Sequence, residues 1–147
     1  MSPATFVYVT YIHCTPEQLW AALTQPELNR RYWLGAAQES SWQAGADWKI
    51  VFADGRIADT GTVLEIDPPR HLLLAWRHEF MPELKAEGYS RARFTLEPVG
   101  EVVKLTVEHS MEREGTKFIA AVAGGRPIIL SGQKTLLETG QDLPPVR

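Results

Sequence analysis

Alternating apolar and polar residues dominate the first two thirds of the chain. Residues 6–13 are rich in β-branched and aromatic side chains, which predicts a strand. Similar segments follow between residues 36 and 110, and turn residues such as Asp54-Gly55 separate them. The strands predicted there cover residues 47–52, 56–66, 72–80, 89–97 and 102–110. Consecutive strands joined by short turns predict an antiparallel sheet of about six or seven strands.

Two short helices are predicted directly after the first strand. Thr15 supplies an N-cap, Pro16 suits the first helical position, and Gln18 completes a capping box. Apolar residues at helical spacing extend this helix to Thr24, and residues 26–32 form the second helix.

The last third of the chain is predicted to be helical in two segments. Residues 117–123 form the first, Gly124-Gly125 interrupts it, and Pro127 occupies the first position of the long helix that follows. Gly140 ends that helix as a C-cap, and residues 141–147 are expected to form a flexible tail. Strands set apart from helices predict an α+β fold, in which the curled sheet surrounds the C-terminal helix.

Composition narrows the classes of partner. Hydrophobic residues make up 44% of the chain and charged residues 22%, so we expect residues 1–147 to form one globular domain. A net charge of −3 gives no broad basic surface, which argues against nucleic acid as a partner. The sequence lacks both a signal peptide and an apolar run long enough for a membrane span, so we expect a cytoplasmic protein.

Four groups of residues resemble the START-like (SRPBCC) superfamily. They are residues 15–28, Trp33, residues 61–72 with Trp76, and residues 105–110 followed by 125–140. The last group is similar to one branch, the proteins related to the C-terminal domain of the activator of the heat-shock chaperone ATPase. That branch often has Gly-Trp before the last helix, where this chain has Gly125-Arg126. The resemblance implies a helix-grip fold, as in START and Bet v 1-like domains, with a cavity between the sheet and the last helix.

The strand pattern predicts which side chains face that cavity. His78 shares a strand face with Trp76, and His109 shares one with Leu105 and Val107. Ligand cavities combine apolar walls with a few polar groups. We therefore predict a ligand-binding site formed by Trp33, Trp48, Trp76, His78, Ser90, His109, Phe118, Val122 and Ile129. The alternative is a tightly packed core in which neighbouring groups satisfy both histidines.

Catalytic and metal chemistry have less support. The four histidines lack the spacing of metal ligands, and His13 and Cys14 are strand neighbours that should point to opposite sides. Glu79, Glu83 and Glu87 resemble a solvated loop between two strands. We predict no catalytic set, no metal and no cofactor.

Three functional hypotheses follow. The first is a module that binds a small hydrophobic or aromatic molecule. The second, implied by the resemblance alone, is a partner protein that stimulates a chaperone ATPase. The third is a cyclase or hydrolase that uses His78 or His109 as a general base. Both a monomer and a homodimer are compatible with each.

Overall fold

A seven-stranded antiparallel sheet curves around one long helix in a computed structural model of the chain, which describes residues 4–111 and 116–145. In chain order the elements are β1 (Ala4–Ile12), α1 (Pro16–Thr24), α2 (Pro26–Tyr32), β2 (Ala37–Ser40), β3 (Asp47–Val51), β4 (Ile57–Asp67), β5 (His71–His78), α3 (Pro82–Lys85), β6 (Ser90–Val99), β7 (Val102–Met111) and α4 (Lys117–Thr139). The strands lie in the order β1-β7-β6-β5-β4-β3-β2. The predicted α+β helix-grip fold is confirmed. Within these residues, no helix combines the length and apolar character that crossing a bilayer requires.

The concave face of the sheet supplies most of the core. In β7, Val103, Leu105, Val107 and His109 are fully buried, whereas the residues between them are half-buried or exposed. This alternation is expected of a strand that has one face on the core. The same strand lies between β1 and β6, so it is hydrogen-bonded along both edges.

Helix α4 is continuous, which corrects the predicted break at Gly124-Gly125. Pro127 lies inside the helix, whereas the sequence predicted it at the helix start. Thr116 caps the first turn by accepting a hydrogen bond from the backbone N–H of Ile119, 3.3 Å away. Gly140, at a φ of 76°, ends the helix as predicted.

Packing against the sheet explains why α4 does not break. Its buried side chains belong to Phe118, Ile119, Val122, Arg126, Leu130, Gln133 and Leu136. They recur every three or four residues and form one stripe along the helix. Because this stripe continues on both sides of Gly124-Gly125, its burial outweighs the cost of about 1 kcal/mol that each glycine adds.

In the segment after β5, predicted as a solvated loop, Glu83 and Lys85 are exposed as expected, but Glu79 is not. The side chain of Glu79 is only 13% exposed and pairs with both Arg77 and Lys85. It also accepts a hydrogen bond of 2.8 Å from the Thr60 hydroxyl. Burial raises the pKa of Glu79, but these hydrogen bonds outweigh it and lower that pKa to about 2. Glu79 is therefore an anchored anion at neutral pH.

Glu87 connects the same segment to α4. Its two carboxylate oxygens accept hydrogen bonds from the backbone N–H groups of Lys117 and Phe118, at 2.9 and 3.0 Å. Free N–H groups at a helix start favour a carboxylate partner. The helix α3, which was not predicted, lies between Glu79 and Glu87. Strand β2 was also not predicted, because four residues carry too little periodicity to identify a strand.

Gly61 permits the closest aromatic contact of the core. On the sheet it lies between Trp48 of β3 and Trp76 of β5. A Cβ atom at this position would lie 1.7 Å from the Ala75 carbonyl oxygen and 3.3 Å from the Trp48 ring. Because glycine has no Cβ, the two indole rings approach to 4.4 Å between centroids.

We predict that Gly61→Ala destabilises the protein by at least about 2 kcal/mol, since the added methyl group forces backbone and ring to move. Gly124→Ala is the matched control, because a Cβ there meets nothing within 4 Å. Inside a helix this change should raise the free energy of unfolding by up to about 1 kcal/mol. Urea denaturation measures the free energy of unfolding of both variants. Equal stability of Gly61→Ala and the parent protein would contradict this packing.

Candidate ligand-binding cavity

A cavity of about 230 Å³ lies between α4 and the concave face of the sheet. It is lined by Trp33, Asp59, Trp76, His78, Met81, Leu84, Phe118, Ala121, Val122, Gly125, Arg126 and Ile129. Most of these side chains are apolar or aromatic, and three of them are charged or titratable. This combination is typical of a small-molecule site, although the volume lies below the usual range of roughly 300–1,000 Å³.

Six of the nine side chains predicted for the site line this cavity. They are Trp33, Trp76, His78, Phe118, Val122 and Ile129. The other three, Trp48, Ser90 and His109, are buried behind the wall. Trp48 packs on Trp76 and donates its indole N–H to Gln38 at 3.0 Å. These three side chains support the wall and do not face the cavity.

A chain of hydrogen bonds fixes the protonation state of His109. The Ser90 hydroxyl donates to the Trp76 carbonyl oxygen at 2.8 Å, so it accepts from His109 Nε2–H at 2.7 Å. Nδ1 of the same ring is then an acceptor, and Arg126 Nη2 donates to it at 3.3 Å. Burial lowers the pKa of His109 well below its usual range, and the Arg126 charge lowers it further. Because both ring nitrogens are occupied, His109 is poorly suited to the role of general base.

Arg126 places a cation on the buried stripe of α4. Its side chain is 4% exposed, and the guanidinium lies 5.0 Å from the ring centroid of Trp76 and 5.8 Å from that of Trp33. Such stacking is a favourable cation–π arrangement. Burial lowers the pKa of Arg126 to about 10, while the fields of Asp59 and Tyr32 act in the opposite direction. The side chain therefore keeps its charge at neutral pH.

Asp59 and His78 form a second polar pair at the cavity. They are direct partners on β4 and β5, and Asp59 Oδ1 lies 3.0 Å from His78 Nδ1. An ionised carboxylate can only accept, so Nδ1 carries the proton. His78 Nε2 has no hydrogen-bond partner in the part of the chain that the structure describes. Of the two histidines predicted as candidate bases, only His78 thus offers a ring nitrogen without a protein partner.

Three wall residues contribute buried polar atoms that have no hydrogen-bond partner in residues 4–111 and 116–145. The atoms are Trp76 Nε1, His78 Nε2 and Arg126 Nη1. Buried polar groups are normally satisfied, and each exception asks for an explanation. Three exceptions around one cavity make it the strongest candidate site among the described residues.

The sequence prediction missed Asp59 and Arg126. A signal for Arg126 was present, since it lies four residues from both Val122 and Leu130 on the apolar stripe of α4. It also stands where the related branch often has tryptophan. Asp59 gave no comparable signal, because its importance comes from pairing with His78 on the neighbouring strand.

Other parts of the structure offer weaker sites. A groove of about 520 Å³ crosses β2, β3 and β4, but its lining includes Glu39, Asp47 and Lys49, which belong to the solvated face of the sheet. In the described residues, no three His, Cys, Asp or Glu side chains converge as metal ligands. Burial raises the pKa of the Cys14 thiol to about 11, and nearby Glu138 adds to this effect, so the thiol is a poor nucleophile.

The comparison with known families agrees with the fold. The family model described as Activator of Hsp90 ATPase homolog 1-like protein matches residues 13–138. The chain belongs to this family. The resemblance seen in the sequence is thereby confirmed. No curated protein matches this member of the Hsp90-activator-like family.

Solved structures extend the comparison. Protein MLL2253 from Mesorhizobium loti is similar with a TM-score of 0.78 and 27% identity, over 95% of this chain and 100% of that one. CalU16 from Micromonospora echinospora has a TM-score of 0.75 and 19% identity, over 97% of this chain and 78% of CalU16. The Aha1 dimer from Colwellia psychrerythraea has a TM-score of 0.72 and 20% identity, over 93% of this chain and 98% of the Colwellia chain. At identities this low, the last two establish the fold alone.

The buried neutral state of His109 predicts that acid destabilises this Hsp90-activator-like domain. Its pKa in the folded chain lies well below the ordinary value of 6.5, so protonation below that pH favours the unfolded chain. The free energy of unfolding should fall as the pH drops below about 6.5, by up to about 1.4 kcal/mol per pH unit. Urea denaturation at a series of pH values measures the slope.

Two variants isolate the contribution of His109 to that slope. His109→Gln keeps an N–H group for Ser90 but cannot titrate. In this variant the free energy of unfolding should therefore depend less on pH below about 6.5. His13→Gln replaces an exposed histidine and should keep the pH dependence of the parent protein. An unchanged slope in His109→Gln would show that another group is responsible.

Proposed function

We propose that this domain binds a small, mainly apolar molecule in the cavity between α4 and the sheet. The observation that carries the proposal is the cavity itself, whose aromatic walls also hold three buried polar atoms that have no partner within the described residues. An apolar guest is favoured there because it leaves water for an apolar surface. The partnerless polar atoms then fix its orientation.

The ring arrangement favours a flat guest. Trp33 and Trp76 stack at 6.2 Å between centroids with an interplanar angle of 26°. The rings of His78 and Phe118 lie 6.1 Å apart between centroids and are tilted by 41°. Offset stacking or edge contact with such rings adds about 0.5–1.5 kcal/mol beyond the burial of area. With a volume of about 230 Å³, the cavity suits a molecule of one or two rings.

A thermal-shift screen of small aromatic and aliphatic molecules tests the proposal. A ligand present at about 100 times its dissociation constant adds roughly 2.7 kcal/mol of stability. For a chain of 147 residues this should raise the midpoint of unfolding by several degrees.

We predict that Gly125→Leu abolishes the ligand-induced shift without unfolding the protein. Gly125 lines the cavity, and a Cβ atom there meets nothing within 4 Å, so a leucine side chain can extend into the space. Gly124→Leu is the matched control, because Gly124 is exposed and does not line the cavity. Titration calorimetry with a ligand identified in the screen measures the affinity of each variant. Equal affinity of Gly125→Leu and the parent protein would place the ligand elsewhere.

Stimulation of an Hsp90 ATPase is a second candidate, and membership of the family favours it. Steady-state ATP hydrolysis by the host's Hsp90, with and without the protein, distinguishes the two functions. Stimulation that is the same in the parent and in Gly125→Leu would support this second function and separate it from the cavity. Because the Colwellia protein forms a dimer in its structure, light scattering should accompany the assay.

A further inference from the structure

We propose that the guest of this cavity is an organic acid whose carboxylate pairs with Arg126 while its apolar body packs against Trp33, Trp76 and Phe118. This inference rests on the proposed function and names the chemical class of the ligand. It starts from the least expected side chain in the cavity wall, a guanidinium on the buried face of α4.

Arg126 is a buried cation that has no direct anionic partner among residues 4–111 and 116–145. In the described part of the chain, no acidic side chain forms an ion pair or hydrogen bond with it. Taking a charge out of water costs several kcal/mol unless a partner compensates it. Stacking on Trp33 and Trp76 offsets part of this cost, and the bond to His109 satisfies Nη2. Nη1 remains without an acceptor.

A second donor lies beside this guanidinium. The Trp76 ring, over which Arg126 stacks at 5.0 Å, carries an indole N–H that also has no partner among the described residues. Both atoms can only donate hydrogen bonds. A carboxylate has two oxygens that accept several hydrogen bonds, and its bonds to a guanidinium are roughly twice as strong as neutral ones. One carboxylate therefore has enough acceptor sites for both donors.

Asp59 limits how strongly an anion is favoured. Its field reaches Arg126, although the carboxylate itself is held by His78 at 3.0 Å. Asp59 already interacts electrostatically with Arg126, so an acidic ligand gains less binding free energy from pairing with that cation. The cavity walls thus carry one cation and one anion. A carboxylate with a single charge fits this balance better than a phosphate monoester, which carries about −1.5 to −2.

The test compares matched ligands that differ only in the polar group. Cinnamic acid, cinnamamide and cinnamyl alcohol form one set, and naphthoic acid, naphthamide and naphthylmethanol form the other. Titration calorimetry at neutral pH gives each dissociation constant for the intact protein. We expect each acid to bind at least about tenfold more tightly than its alcohol. Acids that bind no more tightly than their alcohols would overturn the inference and leave the apolar-ligand proposal standing.

Variants at position 126 assign the preference to its charge. Arg126→Met keeps much of the apolar length but removes the cation, so it should bind acid and alcohol with similar affinity. Arg126→Lys keeps a cation without the planar fork and should retain part of the preference. Arg91→Met, on the exposed side of β6, is the control and should behave like the parent protein.

The outcomes separate the two proposals. A tenfold preference that survives in Arg126→Met would overturn the assignment to Arg126. Binding of alcohols and amides without any preference for acids would remove only the inference about the ligand class. No binding by any of the six compounds, together with no hit in the wider screen, would remove the proposed function and this inference with it. The comparison of acids with their alcohols uses the parent protein, so it does not depend on whether any variant folds.

Discussion

Burial of one helical stripe in the curve of the sheet is the constraint on which the rest of this structure depends. Residues of α4 from Phe118 to Leu136 lie against β1 and β7 and against the helices α1 and α2, which are far apart in sequence. This contact keeps the helix continuous through two glycines and a proline, each of which disfavours helix. It also places Arg126 next to Trp76 and His109. The cavity is the part of this interface that the protein's own side chains do not fill.

The polar groups beneath α4 have two different roles. Ser90 and His109 are fully engaged with the backbone of Trp76 and with Arg126, so they hold the wall in place. By contrast, Trp76, His78 and Arg126 each keep one atom without a partner in the part of the chain that the structure describes. A satisfied network stiffens its surroundings, whereas a partly satisfied one in a low-dielectric site attracts a molecule that completes it. In the proposed complex, the first group holds the second in place around the ligand.

Much of the architecture could be predicted from local sequence, because its causes are local. The capping box at Thr15 and Gln18 and the C-cap at Gly140 appear as expected, since each depends on a few neighbouring residues. The break predicted at Gly124-Gly125 was wrong because tertiary packing outweighs helix propensity there. Arg126 and Asp59 were missed for a related reason. Whether a charge is buried depends on elements that fold against it, and these are distant along the chain.

The most direct measurement follows the five tryptophan indole N–H signals and the arginine side-chain signals by NMR during titration with cinnamic acid. If a carboxylate binds between Arg126 and Trp76, the signals of these two side chains should shift most, because the carboxylate accepts from both. The indole signal of Trp20, on α1, should stay in place. Unmoved Trp76 and Arg126 signals at saturating ligand would contradict binding in this cavity.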